Sequence, residues 1–371
     1  MRRVGAVVIA VGVTLVISSC SGPTASTGSN FAKPGPYAVG LVTLDLGSAG
    51  ALGDRQATVF YPADASRLGG HARLSYTLGA PLPPALVAIV PAKYNSTVTV
   101  DAFTGAPGSS KGPFPVVLFS HGFGASRLYY SHLLAGIASW GFVVVSADYL
   151  ERGLLAQATH SSVPDTPSRD LTTMFSSLAT TEEASAMPTS PLYRSVDAHK
   201  VAAVGHSAGG QTAFDALNDP RVSTAVGWAP VGPSGPPSHK PVMIIGEQED
   251  VALTPATLSR EFARFPGSAT YIQISGEGHN TYTDLCPAIR SGGGGLVAFA
   301  TSLHLISNQL AQLANNGCSS KNLPSPRFWP IVQYYTVAAL RHGLALDDTP
   351  NPGPVRPSQF PGFAVTFHQH S

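Results

Sequence analysis

Apolar residues fall along this chain in two kinds of run, and the difference predicts its architecture. Residues 40–46 and 55–61 alternate apolar and polar positions, with Pro62 closing the second. Alternation marks strands buried on one face, so this stretch reads as the antiparallel start of a sheet. Later runs do not alternate. Residues 115–120, 142–147, 201–206, 222–228, 241–245 and 270–274 are largely continuous apolar segments. That is the pattern of strands buried on both faces of a parallel sheet. Between the first two of them, Leu133, Leu134, Ile137 and Ala138 form one helical face, which Ser126 can cap and Gly141 can stop. Strand, helix, strand at this spacing is a βαβ unit. The predicted fold class is therefore α/β, with a mostly parallel sheet flanked by helices. Helices are also expected over 296–313 and 331–340. A short one is expected within 82–90, inside a Pro- and Gly-rich excursion over 63–113 near the site mouth.

The run at 201–206 ends in Gly205-His206-Ser207-Ala208-Gly209-Gly210 and passes into a small-residue helical pattern. Strand, sharp turn and helix with serine at the tip is the context of a nucleophile elbow. The flanking glycines let strand and helix approach closely. With 38 Gly in the chain, Gly-x-Ser-x-Gly alone would be weak, and the bland alternative is a serine that merely caps the helix. The strand before it and the helix after it carry the stronger reading.

Composition narrows the classes. The chain has 371 residues, 43 % hydrophobic and 12 % charged, with a formal net charge of +1. That is ample for one large core, and the lack of basic clusters gives no sign of a nucleic-acid partner. The N-terminus reads as a targeting segment. Arg2 and Arg3 precede an apolar stretch over 4–17, too short to span a bilayer comfortably, and Ile17-Ser18-Ser19-Cys20 resembles a bacterial lipobox. The expected organisation is a lipoprotein signal peptide over 1–19, lipidation at Cys20 and a flexible tether over 20–36. A catalytic domain over 37–348 and a loose Pro-containing tail over 349–371 follow. The expected location is the outer face of the bacterial cell membrane, held by the lipid anchor. With Cys20 lipidated, Cys286 and Cys318 remain, and an even pair in an exported protein reads as a disulfide. Closing such a loop stabilises by roughly 3–4 kcal/mol in the chain-entropy model.

A serine hydroxyl needs a base, a carboxylate to orient that base, and donors for the developing oxyanion. Ser207 is the candidate nucleophile. His279 follows the last expected strand in a Gly-Glu-Gly-His loop and is the candidate base. Asp250 is the candidate acid, with Glu247 and Glu249 as rivals on the same turn. The backbone N–H groups of Ala208 and Phe123 are the expected oxyanion donors, the latter in His121-Gly122-Phe123-Gly124 after the first buried strand. Trp228 and Tyr282 are candidate pocket residues, with Trp228 equally able to be core. No metal cluster or phosphate-binding loop is visible, so no cofactor is implied.

Residues 119–125 (Phe-Ser-His-Gly-Phe-Gly-Ala), 140–148 (Trp-Gly-Phe-Val-Val-Val-Ser-Ala-Asp) and 205–210 resemble an α/β-hydrolase branch. It comprises the platelet-activating-factor acetylhydrolases and the bacterial lipases and polyester hydrolases. The resemblance spans roughly residues 37–345 and implies an eight-stranded, mostly parallel sheet and cofactor-free ester hydrolysis. One departure is informative. In the acetylhydrolases the acid follows the strand after the elbow helix, but residues 226–230 hold no carboxylate. Gly246 to Asp250 instead match the Gly-x-x-x-Asp of the polyester hydrolases and chlorophyllase-like esterases. The expected activity is serine hydrolysis of small-molecule or lipid esters with an apolar acyl or aryl group. An envelope acyltransferase with the same nucleophile and a catalytically silent binding protein are the alternatives.

Overall fold

The computed structural model describes residues 30–371. The expected signal peptide, Cys20 and the first part of the tether lie outside the described residues. Among the described residues no helix is long and apolar enough to cross a membrane.

The strands in chain order are β1 (Ala38–Ser48), β2 (Asp54–Ala63), β3 (Arg73–Thr77), β4 (Thr97–Thr104), β5 (Phe114–Ser120) and β6 (Val143–Ala147), then β7 (Val196–His206), β8 (Val222–Trp228), β9 (Val242–Glu247), β10 (Ala269–Ile274) and β11 (Val365–His370). The helices are α1 (Pro84–Val87), α2 (Ser131–Ala138), α3 (Leu154–Ala158), α4 (Pro167–Ala186) and α5 (Ala208–Asp215), then α6 (Pro255–Arg264), α7 (Leu285–Ser291), α8 (Gly295–Ser302), α9 (Asn308–Asn315) and α10 (Ser325–Gly343). One mixed sheet runs β11-β10-β9-β8-β7-β5-β6-β2-β1-β4-β3. Its six central strands, β10 to β6, are parallel. The β1–β2 pair is antiparallel, with Gly40 opposite Tyr61.

The unbroken apolar runs fill both faces of the parallel core. In β5, Val117 and Phe119 join the core beneath α2 and α10, while Val116 and Leu118 join the one beneath α4, α5 and α6. This two-residue period is what a strand imposes on its side chains. Parallel strands also share one carboxyl edge. Ser120, His206, Glu247 and Ile274 all end there, so the loops after β5, β7, β9 and β10 converge above it.

Several expectations need correcting. The sheet has eleven strands among the described residues, not eight. The C-terminal segment is no loose tail. Phe360 and Phe363 enter the core, and β11 closes the sheet edge by pairing antiparallel with β10. The tether does not extend to residue 36. Phe31 is buried with its ring 4.8 Å from that of Trp140, and the Gln333 Nε2 donates to the carbonyls of Phe31 and Lys33 at 2.7 Å. Pro62 does not end β2, which continues to Ala63. Ser126 does not cap α2, because that helix starts five residues later; its Oγ accepts from the Leu128 N–H. The stretch 296–313 is two helices, and the excursion over 63–113 carries β3 and β4.

Candidate active site

Ser207 sits between β7 and α5 at φ 56°, ψ −121°, a left-handed backbone conformation that is strained for any residue with a Cβ. The neighbouring glycines make that turn sterically feasible. A Cβ on Gly205 would stand 1.9 Å from the Gly209 carbonyl oxygen, and one on Gly209 would stand 2.0 Å from that of Ser120. The Ser207 N–H donates to the Trp228 carbonyl at 3.0 Å, which ties the turn to the end of β8.

Ser207 Oγ lies 2.9 Å from His279 Nε2, and His279 Nδ1 lies 2.7 Å from Asp250 Oδ2. His279 and Asp250 are both nearly inaccessible. Burial pushes the Asp250 carboxyl up. The hydrogen bond and charge of His279, with the N–H groups of Leu253 and Ala252, outweigh that and hold it below the usual carboxylate range. Those amides donate to Oδ1 at 2.9 and 2.7 Å. Of the three acids on this turn, the structure brings only Asp250 to the imidazole. Glu247 is still inside β9, and burial, then the charge of Asp250, pushes its carboxyl well above the usual range. Glu249 points toward Asn322, whose Nδ2 is 3.4 Å away.

Two residues that sequence reasoning did not assign hold this arrangement. Asn316 Oδ1 accepts from the His279 N–H at 2.7 Å and the Val251 N–H at 3.3 Å, while its Nδ2 donates to the Glu249 carbonyl at 2.9 Å. It thereby bridges the base-bearing and acid-bearing loops. His206 lies beneath them. Burial, then the neighbouring His279, holds its imidazole neutral, well below the ordinary histidine value. Its Nε2–H donates to the His279 carbonyl at 2.9 Å, and its Nδ1 accepts from the Tyr130 hydroxyl at 2.8 Å.

The loop after β5 is supported from below. Among the described residues, neither the Phe123 nor the Ala208 N–H donates to a backbone carbonyl. Arg152 is fully buried beneath them. Its Nε donates to the His121 carbonyl at 3.1 Å, one Nη donates to Ser120 Oγ at 2.6 Å, and the other pairs with Asp170 of α4. The Gly124 N–H returns a bond to the Arg152 carbonyl at 2.8 Å. Burial raises the Asp170 carboxyl to about 6 against the pull of Arg152. His121 is pushed down to about 3 by burial and then by the Arg152 charge, so its Nε2 accepts from the Tyr149 N–H at 3.0 Å.

A cavity of about 150 Å³ opens above Ser207. Its walls come from the loop after β5, a strap over residues 78–95, and a cap built from α7, α8 and α9. The cap is stapled by the Cys286–Cys318 disulfide. Phe123 lines the mouth and is 45 % exposed. The expectation that Trp228 and Tyr282 line the pocket is wrong. Both are wholly buried, stacked 5.6 Å apart, and committed within the core. Trp228 Nε1 donates to Thr336 Oγ1 at 3.0 Å, and the Tyr282 hydroxyl to the Ile245 carbonyl at 3.0 Å. Trp228 shares its face of β8 with Val226, under α10, and is packed within the core there. Among the described residues no cluster of His, Cys, Asp and Glu could hold a metal ion.

Residues 91–232 match the model of the chlorophyllase family, the segment from the strap to just past the elbow helix and β8. A ferulic acid esterase from Streptomyces cinnamoneus is similar in structure, with a TM-score of 0.60 at 20 % identity, over 90 % of this chain and 96 % of that one. No curated protein matches the chain in sequence. The chain thus shares the α/β fold of that esterase structure, with a central parallel sheet and loops converging on the elbow, and its residues 91–232 are similar to the chlorophyllase family.

Proposed function

We propose that the protein is a serine esterase in which Ser207, His279 and Asp250 act as a catalytic triad. The observation that carries this reading is the unbroken contact from Ser207 Oγ through His279 to the Asp250 carboxylate, at 2.9 and 2.7 Å, on a strained elbow. The chlorophyllase match supports the same chemistry. Ser207 Oγ bonds to the ester carbonyl carbon as its proton passes to His279 Nε2. The oxyanion faces the Phe123 and Ala208 N–H groups. Collapse breaks the carbon–oxygen bond to the alcohol, which takes the proton from His279 as it leaves. Water then gives a proton to His279 and attacks the acyl-enzyme. The acid is released as the proton returns to Ser207. Asp250, held ionised, fixes the tautomer of His279 and stabilises its imidazolium. The Ile17–Cys20 pattern supports a lipid anchor at Cys20, which would place this chemistry at the outer face of the cell membrane.

The test is hydrolysis of p-nitrophenyl esters by the full-length chain beside Ser207→Ala, with labelling by a fluorophosphonate. The expected result is labelling at Ser207 and a fall in kcat of about 10⁴-fold or more in the variant. Equal rates in a folded Ser207→Ala protein would refute the assignment.

A further inference from the structure

We propose that the cavity above Ser207 is an acyl pocket for compact, uncharged hydrocarbon groups, the size of one ring or a chain of about six carbons. The inference rests on the esterase reading and names its substrate class. Size is the first argument. The volume of about 150 Å³ equals that of an apolar protein cavity that takes up one benzene.

Chemistry is the second. No Asp, Glu, Lys or Arg lines the cavity. Three of its polar side chains each commit one polar atom to the protein. The Tyr129 hydroxyl donates to the Leu78 carbonyl at 2.6 Å, Asn95 Oδ1 accepts from the Gly79 N–H at 2.8 Å, and Asn280 Nδ2 donates to the Ala314 carbonyl at 3.0 Å. Tyr94 adds a hydroxyl only at the half-buried rim, where strap meets cap beside Gly295. A sugar, a hydroxyl-bearing chain or a carboxylate entering here would lose its water and meet at most the second amide atoms of Asn95 and Asn280, too few partners to offset that loss.

Position is the third. The acyl half stays bonded to Ser207 while the alcohol departs and water enters. Only the retained half can remain under a roof throughout, and this cavity is roofed by the disulfide-stapled cap.

The experiment measures kcat/KM of the full-length chain on p-nitrophenyl acetate, butyrate, hexanoate, dodecanoate and palmitate, and on the 6-hydroxyhexanoate and adipate half-ester. Rates should rise about fourfold per methylene up to hexanoate, then fall by palmitate. The hydroxyl- and carboxyl-tipped esters should run roughly 10- to 100-fold below hexanoate. Ala300→Phe, which fills the cavity from the half-buried face of α8, should shift the preference toward acetate. A second readout does not need catalysis. Thermal unfolding of Ser207→Ala should move upward with hexanamide and not with acetamide or 6-hydroxyhexanamide. If no ester is cleaved and no probe labels Ser207, the esterase reading falls and the amide series alone decides the pocket. Palmitate as the best substrate, parity of the hydroxyl-tipped ester with hexanoate, or equal shifts from hexanamide and acetamide would each overturn the proposal.

Discussion

Replacing Arg152 with methionine keeps much of the side chain's length and apolar bulk but removes a cation from a site with no solvent access. The change strips Asp170 of its ion-pair partner and leaves it the Thr212 hydroxyl, 3.0 Å away. It also removes two bonds to the loop after β5, at the His121 carbonyl and Ser120 Oγ, and the guanidinium 4.3 Å above the Tyr149 ring. Breaking a buried ion pair from one side typically destabilises by about 3–5 kcal/mol, because a charge is left uncompensated. The pH dependence gives this figure a sign. In the native protein burial raises the Asp170 carboxyl to about 6, and Arg152 opposes that rise. A raised carboxyl contributes stability below its unfolded pKa and loses it as pH climbs through the folded one. Without Arg152 the folded pKa climbs further, so stability continues to fall with pH where the native protein has levelled off. The penalty of Arg152→Met should therefore be larger at pH 8 than at pH 5.

Urea unfolding of Arg152→Met, Asp170→Asn and the double variant at both pH values measures this. The double variant should cost less than the sum of the singles by about 1–3 kcal/mol, the coupling of residues in direct contact. Equal penalties at both pH values together with additive singles would refute the buried-pair reasoning. Catalysis gives a separate readout. Slackening of the loop that presents the Phe123 N–H should lower kcat by about 10²-fold while leaving KM near its original value. An unchanged kcat in the destabilised variant would make Arg152 a scaffold residue with no hold on the proposed oxyanion donors.

Two further predictions follow from the loops around His279. Asn316→Ala should lower kcat by about 10- to 100-fold with little change in KM, since misplacing a catalytic group by about 1 Å can cost that much; steady-state kinetics at saturating ester decide it, and an undiminished kcat would show that the loops hold their own geometry. Burial raises Glu277 to about 7, so its contribution to stability is present below about pH 4.5 and lost as pH rises through about 7; Glu277→Gln should flatten that slope in urea midpoints taken from pH 5 to pH 8, and an unchanged slope would mean that Glu277 is not the group responsible.

The parts of this molecule that could be read from sequence are those whose neighbours are close in the chain. The buried strands announce themselves as continuous apolar runs, and the elbow is complete within six residues. The parts that could not be read depend on contacts between distant segments. Phe31 becomes core only because Trp140 and Tyr334 meet it, and Val365 and Phe367 become a strand only because β10 offers an open edge. Arg152 and Asp170 stand in a polar, Ser- and Thr-rich stretch where nothing separates a buried pair from two solvated charges. Trp228 was legible in part, since strand parity places it with Val226, but an apolar residue near a site reads the same whether it lines a pocket or fills a core. The choice among Glu247, Glu249 and Asp250 shows where the limit lies. Glu247 pairs in register with Ile274 of β10, so its side chain is held between the sheet and its covering layers, where burial keeps the proton on. Asp250 lies three residues beyond the strand's end, where two backbone N–H groups and an imidazole meet it and keep the proton off. Distance past the strand end, more than residue type, decides which acid can ionise. That end is fixed by pairing with a strand more than twenty residues further along the chain.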